Sequence, residues 1–145
     1  MQTFMPYTGF IESVRCLDGA RLGKQRVECL QILNALIKSE KSRWANHPAV
    51  RMWAGHEGLL VIYGIAACKE WIQRGYRDNT MPKIADMMYR YDLNTDKPWW
   101  IGDQRFHASH RSNLLRKDHE WYGKYGWEES DDLPYFWPTK HKQED

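Results

Sequence analysis

Between Asp18 and Lys41 the apolar residues Leu22, Cys29, Leu30, Leu33, Leu36 and Ile37 recur every three or four positions. That spacing predicts a long amphipathic helix, with Arg21, Lys24, Glu28, Gln31 and Lys38 on its wet face and Asp18 as its N-cap. Such a helix must lie against an apolar partner. Gly23 in its interior costs about 1 kcal/mol and signals close approach by a neighbour. Arg26 breaks the pattern. It stands four residues after Leu22 and four before Leu30, so its stem runs along the core-side stripe while its head carries a charge that cannot be shed.

The rest of the chain reads as more helix. A short one can start at Pro48, and "GHEGLLVIYGIAACKEWIQRGY" is a second long one, closed by Gly75 as a left-handed C-cap. "MPKIADMMYRY" is a third, shorter segment, and "HASHRSNLLRKDHEWYGKYG" returns to helix before the extended "DDLPYFWP". Residues 1–10, with Pro6 and Gly9, read as an irregular arm in which no helix begins. No run alternates apolar and polar residues as a strand does. The expectation is an all-α, compact single domain over residues 1–145, built on about three main helices, with an irregular N-terminal arm, an aromatic C-terminal tail and a flexible acidic end at 139–145.

Charge is unevenly placed. The net +2 of the whole chain divides into 18 Lys and Arg against 11 Asp and Glu over residues 1–117, and 3 against 8 over residues 118–145. A basic body suits a partner rich in phosphate. Eight Trp, eight Tyr and four Phe exceed what a small core needs, so some rings belong to a working surface. Three cysteines without a CxxC pair read as reduced and buried, which points to the cytoplasm. The start of the chain has no leader pattern, and "LLVIYGIAAC" is too short to span a bilayer, so no membrane is expected.

Several residues could carry chemistry. His107, His110 and Arg111 crowd the start of a helix whose next turns present Asn113, Arg116 and Lys117, a suitable setting for phosphate. His107, His110 and His56 also admit a metal, as in a metal-dependent nuclease, but no third ligand has diagnostic spacing, so neither metal nor cofactor is expected. Arg51 and His56 flank Trp53 in a mixture suited to wedging into a duplex. Asp18, Arg21 and Gln25 share one helix stripe, where a carboxylate beside an arginine stays ionised. Among acids of the first long helix only Asp18 and Glu28 stand out.

Taken in order, "RV" at Arg26 and Val27, "AGH" at Ala54 to His56, "EWIQRGY" at Glu70 to Tyr76, "HASHRSNLLRKD" at His107 to Asp118 and "WYGKYG" at Trp121 to Gly126 resemble the pyrimidine-dimer DNA glycosylases of the phage endonuclease V type. The resemblance implies a compact all-α fold that bends DNA and flips a nucleotide out, then combines base excision with cleavage at the abasic site. It implies that the chain's own α-amine attacks the sugar C1′ to form an imine. A glutamate of the first long helix assists, and arginines of that helix, here Arg26, hold phosphates. Anchored on Arg26 and Val27, the glutamate falls at Gly23, where no acid stands.

The resulting expectation is a monomeric glycosylase, with lyase activity, for a damaged or modified pyrimidine in double-stranded DNA. Met1 supplies the amine, since the bulky Gln2 keeps the initiator methionine in place. Lys24 is the substitute nucleophile and Asp18 the substitute acid. Arg21, Gln25, Arg26, Arg51, His56, His107, His110, Arg111, Asn113, Arg116 and Lys117 face the DNA. The alternative is a DNA-bending module of the same fold without catalysis.

Overall fold

A computed structural model describes residues 1–38 and 45–138. Among them the helices are α1 Phe10–Arg15, α2 Gly19–Ile37, α3 Pro48–Arg51, α4 Glu57–Gln73, α5 Met81–Arg90, α6 Gln104–Lys117 and α7 His119–Tyr122, followed by a 3₁₀ turn at Gly123–Tyr125. No strand occurs among the described residues.

Helix α4 is the axis of the fold. It buries Leu60, Val61, Tyr63, Gly64, Ala67 and Cys68, and α1, α2 and α5 pack around it. Small residues set how closely α2 approaches. A Cβ built on Gly64 would stand 2.7 Å from Cys29 Sγ, and one on Gly23 would stand 3.0 Å from the Trp71 ring. The close approach expected at Gly23 is therefore made by α4. Gly75 ends this helix at φ +96°, the left-handed conformation that glycine adopts without strain.

Three expectations are corrected. A helix does begin at Phe10; its six residues are too few to show a period, and packing of Val14 against α4 holds it. Helix α2 closes at Ile37 with Lys38 as its C-cap, short of Lys41, and residues 39–44 lie outside the described part. Asp18 occupies the N-cap position without capping: its carboxylate accepts hydrogen bonds from the Tyr122 hydroxyl and Arg21 instead. The acidic end at 139–145 is also outside the described residues.

Cys16, Cys29 and Cys68 are buried and free. No described helix is long and apolar enough to cross a membrane.

Candidate active site

An extended segment has no helical partners for its backbone, so side chains must supply them wherever it is buried. Residues 2–6 run through the interior in this way. Gln25 of α2 accepts the Phe4 N–H at 2.8 Å and donates to the Gln2 carbonyl at 2.5 Å, as a neighbouring strand would. The Phe4 carbonyl accepts from the Tyr63 hydroxyl at 2.6 Å. Trp53 Nε1 donates to the Thr3 hydroxyl at 3.0 Å.

Two histidines of α6 hold Met5 from both sides. His110 Nδ1 accepts the Met5 N–H at 2.8 Å, and His107 Nδ1 donates to the Met5 carbonyl at 2.8 Å while its Nε2 accepts from Gly102 N–H at 2.9 Å. These partners fix opposite tautomers, and both rings are neutral. Burial pushes His110 down to about 3 and lowers His107 as well.

The arm ends in an open cleft of about 330 Å³ whose walls include Met1, Gln2, Arg21, Lys24, Glu28, Lys117 and Tyr135. Arg21, Lys24, Gln25 and Glu28 stand at i, i+3, i+4 and i+7, so one face of α2 builds both the clamp and the wall. Glu28 Oε2 accepts the Gln2 N–H at 3.1 Å. A carboxylate is thus bonded to the residue that follows the Met1 amine, in a cleft whose other charged lining residues are the cations Arg21, Lys24 and Lys117.

Residues 1–83 match the pyrimidine dimer DNA glycosylase family. The chain belongs to that family. Neither a curated protein nor a solved structure matches it. The matched stretch holds the arm, the whole of α2 and the hydrogen bond from Gln2 to Glu28, whereas α6 and the C-terminal segment lie beyond it. The family is one of DNA-repair glycosylases, and its substrate is DNA that carries pyrimidine dimers.

The position at Gly23, where the resemblance puts an acid, lies against α4. It faces Trp71, and the acid beside the terminus is Glu28 on the adjoining stripe. Glu28 continues the Asp18, Arg21, Gln25 stripe three residues on, so its place in the cleft wall is legible in the sequence. Gln2 and Tyr135, also at the cleft, carry no such signal.

Arg26 is corrected too. Its guanidinium pairs with Asp78, whose side chain is 1% exposed, and lies 4.5 Å over the Trp71 ring. A buried counter-charge and an aromatic face, not a phosphate, let it sit on the core side. Asp18 is absent from the cleft wall. Burial alone would raise its pKa, but hydrogen bonds from Tyr122 and Arg21 outweigh that and keep it below the ordinary carboxylate range.

The late helix holds protein where DNA was expected. His107 and His110 are 0% exposed and grip the arm. Arg111 forms a two-point pair with Glu129 at 2.8 and 3.0 Å and donates to the Pro6 carbonyl at 2.7 Å. Asn113 is buried and donates to the Leu133 carbonyl at 3.0 Å, and Arg116 donates to the Asp131 carbonyl at 2.9 Å, so both fasten the C-terminal segment. Gln25, expected at DNA, is 1% exposed.

Arg21, Lys24 and Lys117 do reach the cleft. Arg51 is exposed on α3, and His56 meets the Asp96 carbonyl at 3.3 Å; neither lines the cleft. No three His, Cys, Asp or Glu among the described residues are grouped to hold a metal ion.

Proposed function

We propose that this chain excises a damaged pyrimidine from double-stranded DNA with the Met1 amine as nucleophile and Glu28 as proton carrier, and then cleaves the abasic strand. The single observation that carries this reading is the Gln2 N–H to Glu28 Oε2 hydrogen bond, which ties the terminus to the acid. Lys24, Arg21 and Lys117 then serve the phosphates.

The neutral amine attacks C1′ of the sugar. The bond from C1′ to N1 of the base breaks, and its electron pair leaves with the base. The proton lost by the amine travels through Glu28 to the departing base, so charge is conserved. Opening of the sugar ring gives an imine, which acidifies the C2′ hydrogen. Glu28 accepts that proton as the 3′ phosphate departs, which breaks the strand.

Gel analysis of an ultraviolet-irradiated duplex incubated with the wild type and with Glu28→Gln tests this. The expected result is strand cleavage by the wild type and a loss of about 10²-fold or more in the variant, with DNA affinity kept. DNA binding without excision or imine formation in the wild type would replace the enzyme with the DNA-bending module.

A further inference from the structure

The side chain of Gln2 is only 4% exposed, yet one end of it has no partner. Its Oε1 accepts the Thr3 N–H at 2.9 Å, which establishes which end of the amide is oxygen. Nε2, at the other end, is buried without a hydrogen bond. Buried donors are almost always paired, so an orphan beside a reactive site suggests that a ligand completes it. Gln2 lines the cleft next to Met1. Tyr135, from the irregular C-terminal segment, lines the same cleft and is near the Gln2 side chain without meeting it in hydrogen-bond geometry.

We propose that the Gln2 amide N–H binds the ring carbonyl adjacent to the glycosidic nitrogen of the excised pyrimidine and stabilises the base as it leaves. This rests on the glycosylase reading above. When the bond from C1′ to N1 breaks, the electron pair that passes to N1 is shared with the oxygen on C2. A donor fixed at that oxygen binds the transition state more strongly than the ground state, because charge grows there as the bond lengthens. Gln2 gives a hydrogen bond and keeps its proton; the proton that neutralises the base still comes from the attacking amine by way of Glu28. Pyrimidines share this carbonyl, whether single or in a dimer, so Gln2 reads the class of base and not the lesion.

The proposal separates two rates. Gln2→Glu retains an oxygen for the Thr3 N–H and removes the donor, and Gln2→Met removes both ends; intact mass confirms that each keeps Met1. Single-turnover excision is measured on a duplex with one thymine dimer, and borohydride trapping on the same duplex with a preformed abasic site, which has no base to leave. Excision should slow about 30-fold in both variants, somewhat less than the ~100-fold typical of a lost oxyanion donor, while trapping stays within about twofold of the wild type. Equal losses in the two assays would mean that Gln2 only shapes the arm, and wild-type excision would mean that its amide does not touch the base; either overturns the proposal. A wild type that neither excises nor traps would defeat the glycosylase reading itself.

Discussion

The backbone N–H of Met5 donates to Nδ1 of His110 across 2.8 Å, and the ring that accepts it is 0% exposed. The arm that carries the terminal amine is therefore held by a base that must stay uncharged. Protonation of His110 would replace its lone pair with a second N–H pointing at a donor.

Stability should accordingly depend on pH above the carboxylate range. His110 titrates near 6.5 when unfolded and at about 3 when folded, so between those values the unfolded chain binds the extra proton. Its contribution is fully present above about pH 6.5 and is lost as pH falls toward 3, with a slope of up to about 1.4 kcal/mol per pH unit. His107, also lowered, acts with the same sign. Urea unfolding at pH 6.5 and pH 5 checks this. The wild type should lose about 2 kcal/mol more over that interval than His110→Asn, which can accept from Met5 but cannot charge.

Arg26→Ala should destabilise the fold by about 3 kcal/mol, because it leaves the buried Asp78 carboxylate unpaired and bares the Trp71 face. DNA affinity and its salt dependence should hardly move. Thermal melting and a salt titration of binding, both on the variant, separate this structural role from a phosphate contact.

The cations that line the cleft are fewer than the sequence suggested, and one of them, Arg21, also pairs with Asp18 at 3.2 Å. Arg21, Lys24 and Lys117 line it, while Arg26 and Arg111 are committed to Asp78 and Glu129. Three contacts give a log–log salt slope of roughly −3 where six would give roughly −5. Lys24→Gln and Lys117→Gln should each reduce the slope by about 1, and Arg111→Ala should leave it unchanged. Fluorescence anisotropy with a labelled duplex at several salt concentrations measures all of them.

Periodicity made the helical architecture legible because α2 and α4 are long enough for their apolar stripes to repeat. It failed at α1, where six residues give less than two turns, and at Asp18, whose partner Tyr122 is 104 positions away. The candidate site divides in the same manner. Arg21, Lys24, Gln25 and Glu28 share a stripe that can be read locally, but what covers that stripe is the arm, and the contacts that seat it come from α6, more than 100 residues along the chain. Histidines that suggest a ligand site in sequence turned out to hold backbone, through both ring nitrogens of His107 and through Nδ1 of His110, and only a three-dimensional contact distinguishes the two roles. Arg26 belongs to the same class: its counter-ion Asp78 is 52 positions distant and carries no local mark.

The proposed mechanism turns on the amine of Met1, and borohydride trapping followed by peptide mapping tests it most directly. An abasic duplex incubated with the protein and reductant should yield a covalent adduct whose mass increment lies on the N-terminal peptide at Met1. Acetylation of that amine should abolish the adduct, and Lys24→Ala should retain it. An adduct on Lys24, or full trapping by the acetylated protein, would contradict the assignment.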